Sequence, residues 1–293
     1  MKKLVKASLI CILITFASFI SYGQEKLNIV RIETMDGNEY IGTIISKDSL
    51  SIQLLTNNLG EISISIKDIL KKTEIDQSRI INGKVWFDNP QATRYFWAPN
   101  GYGLKEGEAY YQNVWVWFNQ FAFGITDRLS LGGGVVPLFI FDGASTPVWI
   151  TPKFSIPISP DKFNIGGGAL LGTVIGESET GFGILYGIAT LGNRDKNISF
   201  GMGYGYAAGE MAKNPAITIS GMLRTGQRGY LISENYIFPG SDGFGMISIG
   251  GRRIIKNAGL DFGAIIPVGN IDALIILPWL GFTIPFGNKP KSF

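Results

Sequence analysis

From about residue 108 to 286, large apolar side chains alternate with small or polar ones in runs of roughly ten, each ended by a short polar turn. The run 197–206 is the clearest: Ile198, Phe200, Met202, Tyr204 and Tyr206 share one face, and Ser199, Gly201, Gly203 and Gly205 the other. Successive side chains of a strand point to opposite faces, so such a run has one greasy face and one narrow, weakly polar face. The same reading predicts strands near 108–123, 128–140, 147–158, 162–175, 181–191, 197–207, 215–224, 229–238, 243–255, 258–267 and 273–286. Their connections alternate in character. Thr126 to Arg128, Ser159 to Lys162, Asn193 to Lys196, Thr225 to Arg228 and Lys256 with Asn257 form a tight, charged series; the loops at 142–146, 176–180, 208–214, 239–242 and 268–272 are longer or less basic. This is the pattern of an antiparallel transmembrane β-barrel, whose bacterial forms have an even strand number and short turns on the periplasmic side. Counting 92–98 as a first strand gives about twelve strands, with about ten as the rival count, and puts both barrel ends on the short-turn side.

Ahead of the barrel, alternating runs at 28–34, 40–45, 50–56 and 61–66 are separated by Met35-Asp36-Gly37, Lys47-Asp48-Ser49 and Asn57-Asn58-Leu59-Gly60. Such turn residues between alternating runs signal hairpins and predict a small five-stranded barrel over 27–75. The string DG..Y.G.I...D...I.L.T...GE..I...DI resembles the Sm-like and SH3-like small barrels, a resemblance of fold that says little about function. Some Sm-like rings bind RNA, but an exported copy without basic residues at its loops argues against a nucleic-acid partner; a periplasmic protein partner, or packing onto the larger barrel, fits better. The linking stretch 76–107 is mixed, with one short strand at most. It is expected to supply the first barrel strand or to tuck into the lumen.

The N-terminus changes the picture from barrel to exported barrel. Lys2, Lys3 and Lys6 precede an apolar core from Leu9 to Ile20, and Ser21-Tyr22-Gly23 place small residues before a cut ahead of Gln24, which predicts a signal peptide over 1–23. The apolar run falls short of the ~20 residues that a spanning helix needs. Cys11, the only cysteine, lies within this segment behind Ile10, which is not the small residue that lipidation requires. Together, export and barrel pattern put the chain in an outer membrane, in contact with its lipid and, during biogenesis, with barrel-assembly machinery. In the last strand Gly281, Ile284 and Phe286 resemble the C-terminal signal which that machinery reads; Pro285 and the tail 287–293 depart from it.

Composition narrows the chemistry. The chain has no histidine, and past Gln24 no cysteine, which excludes disulfides, a Cys nucleophile, a Ser-His-Asp triad and His-ligated zinc or haem. No cofactor is expected. The 39 glycines and 13 prolines are too many for a helical protein, and the 19 Phe, 11 Tyr and 6 Trp too many for a disordered one. The net charge of +3 is spread without a basic cluster, so nothing points to nucleic acid. Gly132 to Gly134 and Gly166 to Gly168 lack the Lys-Ser/Thr and the helix of a phosphate loop, and read as small inward positions or strand kinks. Glu177 and Glu179 lie in a loop that they solvate. Tyr110, Tyr111, Trp115, Trp117, Trp149 and Trp279 suit the aromatic girdles of a membrane barrel.

The alternation also assigns the lumen. Lys153 with Thr151 and Ser155, Arg224 with Thr218 and Ser220, Arg252 with Ser248 and Gly250, and Asp261 fall on inward faces. Glu234 sits on a strand with two mixed faces and turns inward because a carboxylate facing lipid is expensive. These five charges form a candidate lumen network. They either pair with one another and brace a closed lumen, or line a path for small anionic or zwitterionic solutes. An eight-stranded barrel is filled by side chains and a sixteen-stranded one holds a channel; twelve lies between.

The segments NPQATRYFWAPNGYGLKEGEAYYQN, FGITDRLSLGGGVVPL, TPKFSIPI and GYLISENY resemble outer-membrane β-barrel proteins of Bacteroidota-type bacteria, as does the signal ending SYGQ. That resemblance implies location and carries over no catalytic residue. The leading expectation is a non-enzymatic outer-membrane barrel that passes or binds small solutes, with the small domain in the periplasm. One alternative is a plugged barrel that anchors a periplasmic interaction domain. A further one is a secreted soluble β protein with carboxylate-based hydrolase activity, which needs two carboxylates about 5–10 Å apart in an open cleft.

Overall fold

The computed structural model describes residues 29–75, 79–82, 84–137, 145–177, 181–240, 243–269 and 274–287. The expected signal peptide, Glu179 and residues 288–293 lie outside the described residues. The chain divides into two compact units at Ile80 and Ile81.

The first unit is an antiparallel five-stranded sheet: β1 (Ile29–Thr34), β2 (Glu39–Lys47), β3 (Ser51–Thr56), β4 (Gly60–Ser65) and β5 (Ile69–Glu74), in the order β4-β3-β2-β1-β5. Four strands meander, then a single 3-10 turn at Ile66–Asp68 returns the chain beside β1. Alternation buries Val30, Ile32, Ile52, Leu54 and Ile64 in one core. Two aspartates shape its turns. Asp36 accepts the Thr34 hydroxyl at 2.5 Å and the Asn38 amide at 2.6 Å. Asp48 accepts the backbone N–H groups of Leu50 and Ser51, both at 2.7 Å.

Two two-residue strands, β6 (Ile80–Ile81) and β7 (Lys84–Val85), follow. The second unit then builds β8 (Glu108–Val114), β9 (Phe118–Gly124), β10 (Leu129–Val135), β11 (Thr146–Ser159), β12 (Phe163–Ile175), β13 (Phe182–Gly192) and β14 (Lys196–Ala207). After a two-residue extension, β15 (Glu210–Met211), come β16 (Ala216–Gly226), β17 (Gly229–Ile237), β18 (Gly245–Ile255), β19 (Ala258–Val268) and β20 (Leu277–Gly287). Each long strand pairs antiparallel with its neighbours in sequence. β8 pairs with β20, from Val114 opposite Gly281 to Glu108 opposite Gly287, so the twelve long strands close into a ring with no free edge.

The count of twelve arises differently from the sequence reading. Residues 92–98 form no strand. The expected single strand 108–123 is instead the β8–β9 hairpin, turning at Trp115 and Val116, which hold φ of 51° and 68°. Neither is glycine, aspartate or asparagine, the residues that ordinarily mark such a turn. The reversal is stabilised from outside: Asn113 donates to the Val116 carbonyl at 3.0 Å and accepts its N–H at 3.1 Å.

The two faces differ sharply. Ile198, Phe200, Met202 and Tyr204 of β14 point outward and are exposed, with Ser199 between them buried. Phe121, Phe123, Ile150, Phe154, Leu231, Ile249, Phe262 and Leu280 extend this exposed apolar face around the ring. Three of the aromatics expected in girdles do not lie there: Tyr110, Trp149 and Trp279 are buried. The reason is local room inside. A side chain at Gly134 would collide with the Trp149 ring, at 2.3 Å, so that glycine is what lets the indole turn inward.

Candidate functional site: a loop held in the barrel lumen

The stretch before β8 supplies the interior of the barrel. From Trp86 and Phe87, beside Arg224 at the tight-turn end, the chain rises through Gln91 and Arg94 to a tip at Tyr95, Phe96, Trp97 and Ala98. It then returns by Tyr102 and Leu104 to β8. A bridge between Arg94 and Pro99 pairs the limbs, supported by Tyr95 N–H on the Ala98 carbonyl at 3.0 Å and Asn100 N–H on the Thr93 carbonyl at 3.1 Å. Gln91, Tyr95, Phe96 and Asn100 are each at most 1% exposed. Pro90 and Pro99 and the glycines at 101 and 103 suit a chain that turns repeatedly without extending a ladder.

Each charge assigned to the lumen from sequence meets this loop or the charge that holds it. Glu234 of β17 accepts the backbone N–H groups of Phe96, Trp97 and Ala98 on one carboxylate oxygen, all at 2.9 Å, and the Tyr236 hydroxyl on the other at 2.8 Å. Three successive N–H groups on one anion make a backbone nest, with the anion supplied by the wall. Arg252 of β18 forms a two-point ion pair with Asp261 of β19, at 2.6 and 2.8 Å. Its remaining donors reach the carbonyls of Gln91 and Tyr95, both at 2.7 Å, and the Asn89 side chain at 2.9 Å. Lys153 of β11 donates to the carbonyls of Thr93, at 3.3 Å, and Tyr102. Arg224 of β16 donates to the Phe87 carbonyl, to Asp195 at 2.9 Å and to the Tyr230 hydroxyl at 2.6 Å.

The five do not form the mutual network that sequence reasoning drew. Only Arg252 and Asp261 pair with each other. Arg224 pairs with Asp195, which lies in a tight turn, and Lys153 pairs with no carboxylate among the described residues. The partner that the sequence reading did not assign is the loop backbone, whose carbonyls and N–H groups carry no side-chain signature. Uncharged wall residues were also missed. Tyr95 donates to Asn197 at 2.7 Å and meets Ser199 at 2.6 Å, Gly101 N–H donates to Thr190 at 2.7 Å, and Leu104 N–H to Ser130 at 3.1 Å. The inward parity of Asn197, Ser199, Thr190 and Ser130 was readable; what they bind was not.

At the far end, away from the tight turns, the tip is ringed by aromatics. Trp97 lies 5.8 Å from the Phe118 ring and 6.2 Å from Trp149, and Phe96 lies 5.4 Å from Trp279. Beside them, between the tip and the wall of β12, β13, β14 and β16, is a cavity of about 140 Å³ whose surface is mostly apolar.

No family model matches this chain, and no curated protein does. Two solved structures are similar, the KdgM porin and the KdgM porin in complex with disordered oligogalacturonate. Each is 11% identical, with a TM-score of 0.42, over 61% of this chain and 98% of that one. Among the described residues, no cluster of His, Cys, Asp and Glu has the makings of a metal site.

Proposed function

We propose that this protein is a non-enzymatic outer-membrane barrel that binds small solutes and does not pass them freely, its lumen closed by residues 87–104. The observation that carries this reading is the grip on the loop by Lys153, Arg224, Glu234 and the Arg252–Asp261 pair. A diffusion channel needs water along its axis, whereas these charges spend their hydrogen bonds on chain that fills it. The membrane setting is supported by the exposed apolar belt, which would be a severe liability in water and is what lipid requires. The signal peptide, the outward-facing Ile284 and Phe286 near the chain end, and delivery by barrel-assembly machinery belong to the same proposal.

A second reading, that the closed barrel anchors a periplasmic domain, is favoured by one feature. The five-stranded unit precedes the loop, and the chain enters the lumen at the end bearing the tight turns, which face the periplasm in such barrels. The strand order β4-β3-β2-β1-β5 supports the small SH3-like or Sm-like fold for that unit. Its partner would be a periplasmic protein.

The test is ionic conductance of the mature chain, refolded in detergent and inserted in planar bilayers, with a heat-dependent gel shift to verify folding. A folded barrel is expected to give no discrete steps. Steady conductance steps from the unaltered protein would overturn the closed lumen.

A further inference from the structure

We infer that the cavity beside the loop tip is a binding site for a small apolar monoanion, a carboxylate carried on a single ring or a short branched chain. The inference rests on the binding reading above and specifies what is bound.

Size comes first. An apolar cavity of about 150 Å³ takes up a benzene-sized ring, and this one measures about 140 Å³. Leu170, Ile184 and Trp97 give it apolar walls, with the Tyr186 and Tyr236 rings among them. Those five residues are only half-buried, so the space is reachable, and they lie toward the longer loops and away from the tight turns.

Charge comes second. Arg94 lines the cavity and is buried, and a guanidinium stays protonated. It donates to the Trp97 carbonyl at 2.8 Å but forms no ion pair among the described residues. The carboxylate of the loop site, Glu234, has both oxygens occupied, by three N–H groups and the Tyr236 hydroxyl. Lys153, also buried, likewise has no carboxylate partner, so Arg94 and Lys153 face the single carboxylate charge of Glu234 and one positive charge is left over beside the cavity. A buried cation without a counter-ion is costly, and a carboxylate on the ligand relieves that cost while its apolar body fills the walls. A neutral ring gains only the second part, and a zwitterion would bring a further buried cation.

The test uses the mature full chain, refolded in detergent and verified by its heat-dependent gel shift. Benzoate and its neutral match benzamide serve as probes in calorimetric titration. Benzoate is expected to bind saturably and at least tenfold more tightly than benzamide. Arg94→Gln should remove that preference, and Ala216→Phe, a wall substitution outside the loop, should abolish binding of both. No saturable binding, equal affinity for the two probes, or binding unchanged by Ala216→Phe would overturn the site. Should Arg94→Gln not fold, the probe pair on the unaltered chain and Ala216→Phe still decide. A barrel that is silent in bilayers yet binds neither probe keeps the closed lumen and loses this site; one that conducts loses the closed lumen whatever it binds.

Discussion

Glu234 shows what a buried charge does here. A carboxylate on a mixed-face strand could have been an accident of phasing, but it caps three N–H groups at the point where the loop reverses. Without it those donors would be buried and unsatisfied, at a cost of about 1–3 kcal/mol per orphaned group. Glu234→Ala is therefore expected to lower barrel stability by several kcal/mol. Glu234→Gln, which keeps an acceptor oxygen, should cost less than half as much. Unfolding midpoints in denaturant, read by gel shift, separate the two; equal losses would mean that the negative charge itself is what the nest requires. The small N-terminal unit carries a milder charge effect. The Thr34 hydroxyl chiefly, with Asn38, holds the Asp36 carboxyl below its ordinary value, and the Leu50 N–H chiefly, with Ser51, does the same for Asp48. A carboxyl depressed by folding contributes stability that is complete above its unfolded value of about 4 and is lost as pH falls through the lower folded value. Carbon-13 NMR titration of the aspartate carboxyls should find both midpoints below the unfolded value, and Asp48→Asn should remove that turn's share of the acid sensitivity.

At the level of elements, what was legible followed from parity. The alternation identified the long strands from β10 to β20 and put Lys153, Arg224, Arg252 and Asp261 on the small, polar parity of theirs, because a closed sheet with an apolar outside and a polar inside imposes a two-residue period on every strand. The turn between β8 and β9 was not legible, since Trp115 and Val116 continue the alternation through a left-handed reversal that Asn113 stabilises from the side. The loop was legible only as an alternative to a strand. Its conformation is set by contacts from distant strands, and no local period announces it. Its fit depends on close approach: a side chain on Gly101 would come within 2.7 Å of the Asn164 carbonyl and 3.0 Å of the Thr190 hydroxyl. Gly101→Val should accordingly push the returning limb off the wall while leaving the strand ladders in place. A reporter cysteine at Ala98→Cys, 4% exposed in the unaltered protein, is expected to react with a soluble maleimide at least ten times faster when Gly101→Val is added. Unchanged labelling would mean that the limb shifts sideways without opening the lumen.

For the whole molecule, barrel and loop divide the work of stability. The ladders run unbroken around the ring, from β8 to β20, and satisfy the strand backbones without help from inside. The wall, however, is not self-sufficient. Its inward charges and hydroxyls were placed against loop backbone, and twelve strands enclose more space than inward side chains alone can fill. Removing the loop should therefore leave the barrel standing but hydrated. Replacing residues 91–100 with an equal length of glycine and serine is expected to preserve the heat-dependent gel shift, since closure does not depend on the loop. The shift should occur at a lower temperature, because Arg252, Glu234 and Lys153 exchange fixed partners for water. The same variant should conduct in planar bilayers where the unaltered chain is silent, with a preference for anions set by Lys153, which loses its fixed contact with the Thr93 carbonyl and has no carboxylate partner among the described residues. Lys153→Ala in that background should weaken the preference. A variant that folds yet remains silent would locate the barrier in the inward-turned aromatics Trp149 and Trp279, and the loop would then be a brace for the barrel and not its closure.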